Sequence, residues 1–246
     1  MSMHLSKYLA YAGVCSRRNA ATFIKDGKVS VNHSIIKEPG HVLKEDDVVR
    51  VHSKVITLQR NTYVLLNKPK GFITTTEDDQ DRNTVMDLLK PKIKERLYPV
   101  GRLDQDTTGL ILLTNDGMTA QHLSHPSYEV SKIYQVTLDA PLNIEREQQL
   151  RAGITLKDGR VEVDSLVVLN KGRTRIKIEL HSGQNRVVRR LFMHIGYHVL
   201  KLDRIVYAGL SKKGLPVGMW RHLIAREVAH LKSLVVIPSA KNTQKH

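Results

Sequence analysis

The chain has 246 residues, 41% of them hydrophobic, enough for one large domain or for a small one beside a medium one. Lys and Arg number 39 against 24 Asp and Glu, a formal net charge of +15 spread along the chain rather than held in one tail, which favours polyanionic partners and nucleic acid first. The single cysteine, Cys15, excludes an intrachain disulfide and a four-cysteine zinc site, and the lack of an 18-residue apolar run excludes a membrane-spanning helix.

Residues 1–7 lack the apolar core of a signal peptide, so a cytoplasmic protein is expected. Leu5, Tyr8, Leu9 and Ala12 recur with helical spacing, and Gly13 ends that helix. Ser16 is placed to cap a second helix, with Ala20, Phe23 and Ile24 inward and Gly27 as its stop. Short strands are predicted at 29–32, 35–36 and 48–52, with Asp46 and Asp47 in a turn. Residues 1–60 carry ten Lys or Arg against five Asp or Glu, an excess of five positive charges. Arg17 and Arg18 fall in the first turn of the second helix, where the macrodipole disfavours cations. They fit there if a phosphate binds the same helix end; otherwise they are two solvated arginines.

Residues 54–62 read as a linker, although they contain neither Gly nor Pro. Residues 63–71 then open a second domain as a strand followed by a proline–glycine turn. Strand and helix candidates alternate irregularly to about residue 238 with no βαβ rhythm. The expected fold is therefore α+β: a small N-terminal module (1–60) plus a domain (61–238) built on a mostly antiparallel mixed sheet with flanking helices. Residues 239–246 read as a frayed basic tail.

Three segments of the second domain, 132–138, 182–196 and 202–221, could converge with the loop that carries Asp104. A glycine-bounded loop holding Arg102, Asp104, Asp106 and Thr107 leads into the apolar stretch Leu110 to Leu113, a polar entrance that a plain core strand does not need. Strand alternation puts Lys132, Tyr134, Val136 and Leu138 on one face, so Lys132 and Tyr134 suit the rim of a pocket or, more plainly, the edge of a core. Val188, Leu191, Phe192 and Ile195 form a helical apolar stripe ended by Gly196; Arg186, Arg190 and Met193 lie opposite it and Arg189 on its flank. The same arginines could form only a solvated basic face. His194 with His198, and His122 with His125, have no third ligand in a recognisable pattern, so no metal site is predicted. Gly-rich nucleotide-binding motifs are also missing.

The run G-R-L-D-Q-D-T-T-G-L-I-L-L-T-N-D-G at 101–117 resembles the catalytic motif of pseudouridine synthases that modify ribosomal RNA at single positions. The N-K-P-x-G segment at 67–71, K-x-Y at 132–134, G-x-N-R-x-V-R-R-L at 183–191 and the ending from Arg204-Ile205 to Trp220-Arg221 extend the match. The pattern L-S-K-Y-L-A-x-A-G-V-C-S-R-R-x-A resembles an RNA-binding module first known from a small-subunit ribosomal protein.

The resemblance implies that Asp104 is the nucleophile, that Arg189 pairs with it, and that Tyr134 packs against the target base. It implies that the uridine is flipped out of its stack, with Arg102 filling the vacated space or holding a phosphate. Lys132, Arg186, Arg190, Arg17 and Arg18 are expected to bind RNA; Val187 stands where many relatives have Gln, which leaves the role of Arg186 open. The reaction is redox-neutral and needs no cofactor, and attack at ribose C1′ or at uracil C6 remains open. The implied partner is ribosomal RNA or a ribosome-assembly intermediate, handled by a monomer. The G-L-P-x-G-x-W ending favours the large subunit, and Trp220 is expected in the core. Two alternatives stand beside this reading. One is a catalytically silent assembly factor on the same scaffold. The other is a carboxylate hydrolase, which needs a second placed acid and has only Asp106 nearby.

Overall fold

The computed structural model describes residues 2–89 and 92–236; the tail expected at 239–246 lies outside the described residues. The chain folds as two compact units. One runs through Thr62 and takes in the short returns Lys94–Arg96 and Asn115–Gly117; the other holds the remainder.

The first unit contains β1 (Met3–His4), α1 (Leu5–Tyr11), α2 (Arg17–Lys25), β2 (Val29–Val31), β3 (Ser34–Ile35), β4 (Val42–Leu43), β5 (Val49–Val51) and β6 (Lys54–Val55). Four of the strands form an antiparallel sheet in the order β3-β2-β5-β6, and β1 pairs with β4. Both tight hairpins turn on two residues with positive φ, Asn32–His33 (49° and 69°) and His52–Ser53 (46° and 67°). That geometry matches the twist of the flanking strands. Ser16 caps α2, its hydroxyl accepting from the Asn19 amide at 3.1 Å. Leu5, Leu9, Ala20, Ile24, Val29 and Val49 fill the core as the helical and strand periods require.

The segment expected as a linker is ordered. It begins with β6, the Ile56 carbonyl accepts from the Tyr8 hydroxyl at 2.8 Å, and Gln59 N–H donates to the Tyr11 carbonyl. Without Gly or Pro to break it, and with Ile56 packed on the core, the segment belongs to this unit.

The second unit contains β7 (Tyr63–Lys68), β8 (Tyr98–Val100), β9 (Thr108–Thr114), α3 (Gly117–Ser124), β10 (Lys132–Leu138), α4 (Ile144–Arg151), β11 (Ile154–Leu156), β12 (Gly159–Val161), β13 (Ser165–Val168), β14 (Arg175–Leu180), α5 (Val187–His194), β15 (Val199–Tyr207), β16 (Leu210–Ser211), β17 (Trp220–His222) and α6 (Ala225–Val236). The main sheet runs β13-β14-β10-β15-β9-β7-β17, with β8 on β9 and β16 on β15. Its pairings are antiparallel except β15 with β9, where Asp203 faces Thr108 and Arg204 faces Gly109. Gly109 (φ 108°) is needed there, since a Cβ would collide with the Arg204 backbone.

Strand alternation splits the apolar residues between two cores. Val64, Leu66, Ile111, Leu113 and Val136 join Val188, Leu191 and Phe192 of α5 on one face. Leu65, Leu110 and Leu112 join Ala120 and Leu123 of α3 and Leu231 of α6 on the other. Each fully buried Leu contributes about 2 kcal/mol by transfer from water. Trp220, expected in the core, is half-buried against it, and its indole N–H donates to the Leu88 carbonyl at 3.1 Å.

Candidate active site

A cleft of about 580 Å³ opens where β9 and β10 begin and β14 and β15 end. It is lined by Arg102, Asp104, Lys132, Tyr134, Arg186 and Arg204, among others. Three of the sequence-selected segments therefore meet around one space.

Asp104 is held by its neighbours' backbone. Leu103 is buried, its N–H donating to the Thr74 hydroxyl oxygen and its carbonyl accepting from the same hydroxyl at 2.8 Å. The Asp104 carbonyl accepts from the Thr107 N–H, closing the turn. Gly71 N–H donates to the Gln105 carbonyl at 2.8 Å, and the Gln105 amide donates back to the Gly71 carbonyl. The proline–glycine turn of the N-K-P-x-G segment thus clamps the loop that carries the acid.

Lys68 completes that clamp. It is fully buried, and its ammonium donates to the carbonyls of Phe72 (2.7 Å), Pro69 (3.1 Å) and Gln105 (3.4 Å). Burial pushes its pKa down to about 8, against the opposing pull of Asp106 and Asp104. Lys68 was not among the expected site residues. Its sequence signal was a lysine at the end of an apolar strand and directly before Pro69.

The arginines of α5 divide differently from expectation. Arg186, not Arg189, meets Asp104, with Nη1 3.1 Å from Oδ2 and 3.7 Å from Asp106 Oδ1. Arg189 instead meets Asp106 at 2.9 Å and donates to the Val199 carbonyl at 2.9 Å. The reason is positional. Arg186 stands just before the helix in left-handed backbone (φ 48°), which leaves its side chain over the cleft. Arg189, one turn further along, is drawn down beside β15. A non-glycine residue in that backbone region costs about 1 kcal/mol or more, and such strain gathers at functional sites.

Arg190, expected to face RNA, is engaged within the protein. It forks onto Asp158 at 2.7 and 2.9 Å and donates to the Gln184 side-chain carbonyl at 3.1 Å. That pairing holds the Asp158 carboxyl below the usual carboxylate range. The partner lies in the turn between β11 and β12, outside the segment from which α5 was read.

Tyr134 is buried at the cleft wall, paired across β10 with Ile178 on one side and Arg204 on the other. Lys132 lines the cleft too, but its ammonium is committed to the carbonyls of Val130 (2.7 Å) and His181 (3.1 Å). Burial, then the charge of Arg204, pushes its pKa down to about 8. Arg102 is exposed at the cleft mouth. Arg17 and Arg18 are exposed in the first turn of α2 in the other unit. Among the described residues, no three His, Cys, Asp or Glu side chains gather as a metal site. No helix among them is long and apolar enough to cross a membrane.

The arrangement offers a half-exposed carboxylate aimed by a guanidinium, an aromatic wall, and a volume suited to a planar ligand. A family model described as RNA pseudouridylate synthase matches residues 62–194, and one described as S4 domain matches residues 3–49. The chain is 40% identical to "Ribosomal large subunit pseudouridine synthase B" of Bacillus subtilis, covering 94% of this chain and 96% of the relative. It is 34% identical to "Dual-specificity RNA pseudouridine synthase RluF" of Escherichia coli O6:H1, covering 95% and 80%. A solved structure titled "Crystal structure of pseudouridylate synthase" superposes with a TM-score of 0.67 at 26% identity, covering 93% of this chain and 99% of that one.

Proposed function

Because this chain belongs to the RNA pseudouridylate synthase family, we propose that it converts a uridine of ribosomal RNA to pseudouridine, large-subunit RNA being the favoured substrate. The observation that carries the assignment is Asp104, ion-paired to Arg186 at 3.1 Å in a cleft that Tyr134 walls. In this reading the uridine leaves its stack, enters the cleft and packs on Tyr134. Stacking on an aromatic face contributes about 1–3 kcal/mol.

Asp104 then acts as the nucleophile, a role that suits an ionised carboxylate. Arg186 keeps it oriented, and Lys68 holds the loop carbonyls that set its height in the cleft. Arg102, at the mouth, fills the space left by the flipped nucleotide or holds a flanking phosphate. The glycosidic bond breaks at N1 and re-forms at C5, so substrate and product are isomers and no external oxidant or reductant is consumed.

Residues 1–60 serve as an RNA-binding module, with Arg17 and Arg18 contacting phosphates at the start of α2. The protein works as a monomer in the cytoplasm, on free ribosomal RNA or on an assembly intermediate. Mapping pseudouridine in ribosomal RNA from a strain lacking this gene tests the assignment. One site should lose its modification, and the wild-type gene but not Asp104→Asn should restore it. Restoration by the Asn variant would leave a silent assembly factor as the better reading.

A further inference from the structure

Arg204 is a fully enclosed cation with an unfilled hydrogen bond at the floor of the cleft. It is 2% exposed, and its Nε donates to the Leu110 carbonyl at 2.8 Å. The guanidinium lies over the Tyr207 ring, 4.5 Å from its centroid. Nη2 is buried and has no hydrogen-bond partner among the described residues. An unpaired charged donor in such a place is costly, so a compensating acceptor is expected. The two acids beside the cleft do not supply it, being held by Arg186 and Arg189. Lys132, which also lines the cleft, is another cation, and its own donors go to backbone carbonyls.

The register places this cation where a base would lie. Arg204 is the direct cross-strand partner of Tyr134, and both line the cleft. Directly opposite residues of antiparallel strands present their side chains to the same face. A uracil stacked on Tyr134 would bring its carbonyl edge toward the guanidinium. Resting on the proposed function, we infer that Arg204 contacts the uracil carbonyls and stabilises the base as it leaves the ribose.

When the N1–C1′ bond breaks, its electron pair stays on the base and spreads over N1, O2 and O4. The pair that later forms the C5–C1′ bond comes from the base, C5 gives up its proton, and N1 takes one up. The negative charge is therefore transient, and a fixed cation enclosed by the protein favours the state that carries it. A phosphate is a poorer occupant for so deep a group. A planar base with two carbonyl oxygens can reach a donor that a hydrated phosphodiester cannot.

The test compares leaving groups. Arg204→Gln and Arg204→Lys are assayed with the wild type on RNA carrying uridine or 5-fluorouridine at the target position. Substrate consumption is followed in single turnovers at saturating RNA. The fluorinated base departs as the weaker base, so it needs the cation less. Arg204→Gln should lose about a hundredfold on uridine and only about tenfold on 5-fluorouridine, with RNA affinity within about threefold of wild type. Arg204→Lys should fall between, and it carries the same comparison if the Gln variant does not fold. Equal losses on the two substrates, or no loss, would overturn the role. A wild type that forms no pseudouridine in this assay would instead overturn the proposed function.

Discussion

The two units differ in whether they enclose positive charge. Between residues 2 and 62 the buried side chains are apolar, and Arg17 and Arg18 lie exposed at a helix start. In the larger unit Lys68 and Arg204 are almost wholly enclosed, and Arg186, Arg189 and Arg190 are each engaged with a carboxylate. A surface that collects phosphates needs charge in water, where counterions can be exchanged. A catalytic cleft needs charge out of water, where each donor is fixed before the substrate arrives. Positive charge in one unit should therefore govern affinity and salt dependence. In the other, the enclosed and carboxylate-paired charge should govern the chemical step.

The sharpest break is Asp104→Asn. It should lower pseudouridine formation by at least about a thousandfold while RNA affinity stays within about threefold. Single-turnover assays with titrated RNA separate the two quantities. Residual activity within tenfold of wild type would remove Asp104 from the nucleophile's role.

Next are the arginines around α5. Arg186→Ala should slow the chemical step by about a hundredfold, since it frees the carboxylate that the pair aims. Arg190→Ala should change that step by less than about fivefold, because its partner Asp158 is not among the cleft-lining residues. Equal chemical rates for the two variants would mean that the helix serves only as a phosphate-binding face.

A smaller effect is expected from the first unit. Replacing both Arg17 and Arg18 by Ala should weaken RNA binding several-fold and leave the saturated rate unchanged. The slope of log affinity against log salt should become shallower by about 1–2, one released counterion or slightly less for each lost contact. An unchanged slope would assign this helix end to something other than phosphate.

The smallest effect concerns stability against pH. Lys68 and Lys132 are both pushed down to about 8 from the ordinary 10.5. Between those values the unfolded chain binds more protons than the folded one, so these groups make stability rise with pH. Relative to wild type, Lys68→Met should flatten that rise between pH 8 and 10, measured as the thermal midpoint. A parallel pH dependence in the two proteins would show that the Lys68 ammonium is not desolvated.

The elements named from the sequence were legible because they rest on local periodicity. The stripe Val188, Leu191, Phe192, Ile195 marked α5, Ser16 marked the start of α2, and the apolar run from Leu110 marked β9. The first strand pairing, β1 with β4, was not legible, since two-residue strands carry no pattern and the partners are about forty residues apart. The loop carrying Asp104 was found from its composition, and its neighbours Tyr134 and Arg186 from their motifs.

The sequence by itself determined the two-part chain, the mostly antiparallel sheet and the segments that meet at the cleft, because periods of two and 3.6 residues and glycine-bounded loops are written locally. Only the tertiary structure decided which acid each arginine holds. Arg186 and Arg189 lie three residues apart, and their choice between Asp104 and Asp106 depends on the left-handed backbone at 186 and on the Val199 carbonyl beside 189. It also decided that Lys68 and Arg204 are enclosed. In a strand the exposure of a side chain is set by what covers the sheet, and the covering groups come from distant parts of the chain.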